Sequence, residues 1–334
     1  MVSIADVAQA AGVSPTTVSH ALSGKRKVSP HIVSRVREAM DRLGYQPSRT
    51  AQNLARGTTR ILAVAVPDIG NSYFAELAKG VEATAIGRGY NVILCTTGFD
   101  LEKEMQYLEM IRSRAVDGIV YSAGSPPTNS ELHRVLGDMP LVFVDEEIVG
   151  TDFPSVVSDN DKGARLVARH LLDLGHRKAL LLVMPGNNAT SIRRIEGFGD
   201  VWRQGGGEFA IVKSDLTEQG GRKAVLPHIE ALRSGEVTAI FALNDFMAIG
   251  AINQLRKEGI DVPGQVSVVG FDDVSAGSYC YPPLTTVRQN VLGLGVAATT
   301  TLIDSLEGVK PLTGEQVVLP IELIIRESTG PRRI

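Results

Sequence analysis

From Ile61 onward the chain alternates short apolar runs with stretches of helical periodicity, and that alternation narrows its fold to parallel sheets covered by helices. Ile61–Val66 is strand-like and Tyr73–Arg88 helical; Asn91–Cys95 is strand-like and Leu101–Arg114 helical. Gly118–Tyr121, Leu141–Val144, Ala179–Met184, Phe209–Val212, Ala239–Ala242 and Val266–Gly270 read as further strands, with helices between them. Repeated βα units build parallel sheets. This is too much chain for one small sheet, so two Rossmann-like lobes are expected. Sheets of this kind bind ligands beyond the carboxyl ends of their strands, and two facing lobes make a cleft there.

The first sixty residues are different in kind. Ser3-Ile4-Ala5-Asp6 predicts a helix start, with Ser3 as N-cap and an acid three residues on. Gly12 breaks this helix with a tight turn. Ser14-Pro15 opens a second helix over about residues 14–21, and Ser29-Pro30 opens a third. Val33, Val36, Met40 and Leu43 form the third helix's apolar stripe, and Gly44 ends it. Two short helices around a glycine turn, braced by a third, predict a helix-turn-helix unit. Its second helix would lie in the major groove of DNA, where Ser14, Pro15, Thr16, Thr17, Ser19 and His20 are the small or polar candidates for base edges and phosphates.

Charge agrees with this division. Residues 1–60 hold nine Lys/Arg against three acids, a net of +6, while the remainder holds 25 against 34, a net of −9. A basic head on an acidic body suits a DNA-reading module joined to a separate one. Between them, Pro47 and Gly57 bracket a helix-compatible stretch too short to be stable alone in water. It carries Arg49 and, among small and polar neighbours, Leu54, which suits an apolar wedge entering a base step from the minor groove.

No apolar run is long enough for a membrane span, and the start lacks the pattern of a secretory signal. Cys95 and Cys280 show no metal spacing and read as reduced, partly buried thiols, so a cytoplasmic protein is expected.

The residues at the predicted strand ends indicate what the cleft would hold. Asn71-Ser72-Tyr73-Phe74 opens the helix after the first strand. Asp145-Glu146, Asn244-Asp245 and Asp272-Asp273 each follow a strand, and Arg194 lies early in the helix after Leu180–Met184. Acids, an amide, an arginine and an aromatic pair match a polyhydroxylated ligand: carboxylates and amides bond hydroxyls, and an aromatic face covers the apolar side of a sugar ring.

The stretch Ile4-Ala5-Asp6-Val7-Ala8 through Val13-Ser14-Pro15-Thr16-Thr17-Val18-Ser19-His20-Ala21-Leu22, with Val28-Ser29-Pro30, Leu43-Gly44-Tyr45, Pro47 and Ala51-Gln52-Asn53-Leu54-Ala55, resembles the lactose/galactose repressor (LacI/GalR) family. The resemblance runs the length of the chain. Ser191 to Phe198, Asn244 to Gly250, Val268 to Asp273 and Pro282 to Val287 match elements of that family's sensor, which is similar to periplasmic sugar-binding proteins.

It implies an all-α helix-turn-helix head plus an α/β periplasmic-binding-protein-like core. By that correspondence residues 1–46 are the DNA-binding domain and 47–60 the hinge helix and linker. Residues 61–157 with 288–318 form the N-terminal lobe, and 158–287 with 319–334 the C-terminal lobe. Pro15, Thr16 and His20 would be the base readers and Leu54 the hinge wedge. Asp145, Arg194, Asn244 and Asp272 would contact the effector, with Tyr73 and Phe74 at its edge. The implied partners are a double-stranded operator, a small effector (sugar or sugar derivative ahead of purine) and a second copy of the chain. The chain departs from the family at His20, where many members carry Arg. It departs again at Asp215-Leu216-Thr217, where several place an aromatic lid.

Two other classes fit the sequence less well. A periplasmic ligand carrier would need a signal peptide. A nucleotide-dependent enzyme would need G-x-G-x-x-G after Ile61–Val66, a Walker A loop or G-x-S-x-G, and none is present. No catalytic residue, metal or cofactor is expected.

Overall fold

The structure, a computed structural model, describes residues 2–23, 26–45, 58–113, 116–186 and 188–332. It divides into two units, Met1–Arg60 with Ala115–Asp117, and Ile61–Arg114 with Gly118–Ile334.

The smaller unit contains α1 (Ile4–Ala11), α2 (Pro15–Ser23) and α3 (Pro30–Leu43). Ser3 Oγ accepts from Asp6 N while the Asp6 carboxylate accepts from Ser3 N, so the two residues cap α1 reciprocally. Gly12 ends α1 at φ 61, where a Cβ would also collide with the Arg35 guanidinium. Arg35 and Arg42 donate to the Ala11 and Ala10 carbonyls, placing cations at the negative end of α1. Val7, Ala8, Ala11, Val18, Val36 and Ala39 form the buried core. These side chains are small, which lets three short helices approach closely. At the unit's end the Asp117 carboxylate accepts from Thr59 N at 2.7 Å and Arg60 N at 2.8 Å.

The larger unit begins with β1 (Ile61–Val66), α4 (Ser72–Gly87), β2 (Asn91–Thr96), α5 (Leu101–Ser113), β3 (Gly118–Tyr121), α6 (Asn129–Leu136), β4 (Leu141–Val144) and β5 (Ser155–Ser158). It continues with α7 (Asn160–Asp173), β6 (Lys178–Val183), α8 (Ala189–Gln204), β7 (Glu208–Lys213), α9 (Glu218–Val225), α10 (Ile229–Arg233), β8 (Ala239–Ala242), α11 (Asp245–Lys257) and β9 (Ser267–Val269). It closes with α12 (Ser275–Tyr279), β10 (Thr286–Gln289), α13 (Val291–Leu306), β11 (Gln316–Leu319) and β12 (Ile321–Ile324).

One sheet runs β11-β5-β4-β3-β1-β2 and another β7-β6-β8-β9, each with parallel neighbours throughout. β10 and β12 form an antiparallel ribbon. The central strands β1, β3, β4 and β8 are apolar because both their faces are covered. β2 and β7 are edge strands and leave Ile93, Leu94 and Ile211 exposed. In both sheets the strand order reverses beside the first strand, β1 or β6, which is where a doubly wound sheet opens a crevice.

The first sheet is completed late. α13 packs on α4 with backbone nearly touching backbone: a Cβ on Gly80 would sit 2.4 Å from the Leu292 carbonyl oxygen, and one on Gly295 2.5 Å from that of Leu77. The chain therefore crosses between sheets at Asp159, again at Asn290 and again at Pro320. The strands over Ser155–Ser158, Thr286–Gln289, Gln316–Leu319 and Ile321–Ile324 had no counterpart in the sequence reading, because they lie outside the strand–helix alternation. Apolar cores lie beneath the helices of both sheets. The second sheet's core is centred on Phe198, which stacks on Trp202 at 4.9 Å and on Phe241 at 5.3 Å.

Candidate functional site

The carboxyl ends of both sheets face one chamber. Tyr73 and Phe74 enter it from the first turn of α4, and Asp145 and Glu146 from the end of β4. Arg194 comes from α8, Asn244 from the end of β8, and Asp272 from just beyond β9. All six residues singled out for the effector thus line the same inner space of about 70 Å³. An adjoining cavity of about 580 Å³ shares Asn71, Phe99, Gly124, Met184, Asn188 and Leu216 with it. That volume suits a small organic ligand.

Each of these side chains is held by partners. Tyr73 Oη donates to Asp145 Oδ1 at 2.5 Å. Arg194 Nε donates to Asn160 Oδ1 at 2.8 Å and its Nη1 to the Leu243 carbonyl, while the guanidinium carbon lies 3.7 Å from the centre of the Phe271 ring. A guanidinium has five N–H donors, so those two bonds leave others for the chamber. Asp272 lies 3.9 Å from Arg194 and accepts from Gln289 Nε2 at 2.7 Å. Asn244 caps α11, accepting from Met247 N at 2.8 Å, and donates to the Leu216 carbonyl. It is therefore both a helix cap and a cavity wall. Phe74 meets Tyr73 edge to face at 5.3 Å.

The backbone is strained where the acids enter. Asp145 has φ 72 and Asp272 φ 123, and Phe99 sits at φ 58. Non-glycine residues at positive φ persist only where the surroundings over-determine them, commonly at ligand sites.

Burial dominates the electrostatics. It pushes the carboxyls of Asp145 and Asp272 above the usual range, and Arg194 partly offsets this for both. It pushes Glu146 to about 7, against the bonds from Thr190. Burial also holds Tyr73 well above its ordinary value, so it stays a phenol. Glu104 is buried behind the chamber wall, and burial lifts it to about 7. It accepts from the Tyr121 hydroxyl and, at 3.1 Å each, from Gly124 N and Ser125 N, fixing the loop that lines the larger cavity.

The second acids of the Asn244-Asp245 and Asp272-Asp273 motifs turn away. Asp245 is fully buried and accepts from Val274 N and the Thr286 hydroxyl. Asp273 accepts from Arg288 and Arg326 at 2.6 Å each. Both hold β10 and the segments beside it. Among the described residues no group of three or more His, Cys, Asp or Glu is arranged to hold a metal ion. Nor is any described helix long and apolar enough to cross a membrane.

Several lining residues were missed. Phe99 follows β2 and Phe246 opens α11, and both line the larger cavity beside Leu216. The strand-end rule applied to β2 would have found Phe99. These rings supply the aromatic surface that the Asp215-Leu216-Thr217 loop lacks. Glu146 stands beside Asp145 and was passed over. Asn160 and Gln289 carried no signal, since folding alone brings them to the site.

In the smaller unit α2 presents Pro15 and Thr16 exposed, with Ser19 and His20 half-buried. Ser14 is exposed, but its Oγ accepts from Thr17 N at 3.1 Å and shares a 2.9 Å bond with the Thr17 hydroxyl, so this pair caps the helix. His20 Nδ1 is buried without a partner among the described residues. Arg49 and Leu54 lie outside the described residues.

Comparison with known proteins follows the same division. The profile of bacterial regulatory proteins of the lacI family matches residues 3–48, and that of the periplasmic binding protein-like domain matches residues 168–329. The ribose operon repressor of Halalkalibacterium halodurans is 34% identical over 329 residues, covering 98% of this chain and 97% of that protein. The Lac repressor dimer bound to operator and the anti-inducer ONPF superposes with TM-score 0.85 at 26% identity, covering 98% and 99% of the two chains. A LacI family transcriptional regulator from Enterococcus faecium with bound ribose superposes with TM-score 0.72 at 27% identity, covering 82% of this chain and 100% of that one.

Proposed function

The chain belongs to the lacI family of bacterial regulatory proteins, and from that premise we propose that it is a repressor controlled by a sugar or sugar derivative in its cleft. It binds a pseudo-palindromic operator as a homodimer. One observation carries the reading: Tyr73, Phe74 and Asp145 from one sheet and Arg194, Asn244 and Asp272 from the other converge on a single chamber. Carboxylates, an amide and a guanidinium around aromatic edges form a surface for hydroxyl groups. The ribose bound to the Enterococcus faecium relative favours a sugar over a purine.

Exposed Pro15 and Thr16 support α2 as the reading helix, with Ser14, Thr17, Ser19 and His20 beside them. We assign Arg49 a phosphate contact and Leu54 a wedge in the minor groove. Residues 1–46 are taken as the DNA-binding domain and 47–60 as the hinge. The N-terminal lobe is 61–157 with 288–318, and the C-terminal lobe 158–287 with 319–334. The apolar side chains exposed on the edge strands β2 and β7 suit burial against a twin. Family members are transcriptional regulators, and we read the chamber as a sensor without turnover, in a cytoplasmic protein. An effector shifts operator affinity only by preferring one arrangement of the lobes.

The test is a mobility shift on a library of palindromic duplexes, repeated with Leu54→Ala, alongside a thermal-shift screen against sugars and nucleosides. Operator selection that weakens in the variant, with stabilisation by a sugar, supports the proposal. Absence of sequence-selective binding overturns the DNA half. Stabilisation by nucleosides alone, or turnover of a bound sugar, overturns the sensing half.

A further inference from the structure

The first turn of α8 does not cap itself. Asn188 occupies the N-cap position, yet its side chain makes no bond to that turn; it donates instead to the Gly124 carbonyl on the far side of the cleft at 3.3 Å. The acceptor comes from the other sheet. Glu146, just beyond β4, accepts from Thr190 N at 3.2 Å and from the Thr190 hydroxyl. Glu146 is 3% exposed and lines the inner chamber. Its neighbour Glu147 pairs with Arg193 at 2.9 Å, so the start of α8 is tied twice to the end of β4.

The first N–H groups of a helix, with the positive end of its dipole, make a ready seat for an anion. Here the protein's own carboxylate fills that seat. Asp145 and Asp272 face the same space, and Arg194 is the cation opposing them among the lining residues. A hydroxyl-bearing ligand can donate to these carboxylates. The phosphoryl group of a phosphate monoester dianion has no proton to donate, inorganic hydrogen phosphate keeps only one, and either finds the Thr190 N–H taken and meets like charge.

We propose that Glu146 sets the charge specificity of the cleft: by occupying the N-terminus of α8 it admits an uncharged polyhydroxy ligand and rejects its phosphorylated counterpart. The inference rests on the reading of the chamber as the effector site.

The test titrates the full chain with inorganic phosphate by calorimetry at a pH where phosphate is a dianion, comparing wild type with Glu146→Gln and Glu146→Ala. Wild type should show no saturable binding, and the alanine variant should bind phosphate at least about tenfold more tightly, with glutamine between. Wild type binding phosphate as tightly as the alanine variant would overturn the proposal, as would folded variants that gain nothing. If the alanine variant fails to fold, glutamine decides alone, because it keeps the length and still accepts from Thr190. Independently, wild type stabilised more by ribose 5-phosphate than by ribose would overturn it. If neither sugar binds while the phosphate series behaves as expected, the sugar reading fails and the role of Glu146 stands.

Discussion

Tyr73 and Asp145, from the first turn of one helix and the end of a strand, meet by a 2.5 Å hydrogen bond from the phenol to the carboxylate. Tyr73 is buried and Asp145 half-buried, and Asp145 is held at positive φ as it enters the chamber. Tyr73→Phe removes the donor and leaves a half-buried acceptor short of a partner. It should cost about 1–2 kcal/mol of stability in urea unfolding. It should also weaken binding of the stabilising sugar. Unfolding at the wild-type midpoint would mean that water replaces the phenol in full.

Arg194 fixes the opposite wall through its shape as much as its charge. Arg194→Lys keeps the cation but cannot reproduce the bonds to Asn160 and Leu243 together with stacking on Phe271. Effector affinity should fall at least about tenfold by calorimetry, and effector-dependent release or capture of operator should disappear. Operator binding without effector should remain, because the head is untouched. An unchanged effector response in the lysine variant would reduce Arg194 to a generic charge.

Glu104 gives a pH signature. Its ordinary value is 4.5, and burial lifts it to about 7 against the bonds from Tyr121, Ser125 and Gly124. A folded-state pKa above the unfolded one contributes stability that is complete below the unfolded pKa and is lost as pH rises through the folded one. Glutamine does not ionise. The melting temperature of Glu104→Gln minus that of wild type should therefore become more positive between about pH 5 and pH 8. A difference that stays flat across this window would show that burial does not govern the group.

The head separates capping from reading. Ser14→Ala removes the acceptor for Thr17 N and should cost about 1 kcal/mol of head stability. Thr16 is exposed, so Thr16→Ala should leave stability unchanged. It should weaken operator binding by about 1–3 kcal/mol if its side chain meets a base. Fluorescence anisotropy at fixed salt measures both, and non-specific affinity should stay level for Thr16→Ala. Equal losses on operator and random duplex would remove Thr16 from the readers.

Much of the fold could be read along the chain because its signals are local. Ser3 with Asp6, Gly12 and Gly44 punctuate the head, and the alternation from Ile61 announces the parallel sheets. β5, β10, β11 and β12 stayed hidden because they are short and lie outside the strand–helix alternation, although β11 is fixed only by its distant partner β5. The chamber divides the same way. Asp145, Asn244 and Asp272 could be found at strand ends. The capping of α8 by Glu146, the grip of Asn160 on Arg194 and that of Gln289 on Asp272 join residues that only folding brings together. Within one paired motif the two acids part: Asp272 enters the chamber while Asp273 binds Arg288 and Arg326, because successive residues beyond a strand point in different directions.

The late return of α13 and β11 to the first sheet has a consequence for biosynthesis. The head is chemically complete once Leu43 and Gly44 emerge from the ribosome, and its contacts are short-range. The first sheet has no such independence: β5 stays an open edge until Gln316–Leu319 arrives, and α4 keeps the bare backbone at Gly80 uncovered until α13 docks. The strands of the second sheet are translated meanwhile, yet that lobe also closes late: β12 pairs with β10, and Ser328 bonds Val268 on β9, only after β11 has emerged.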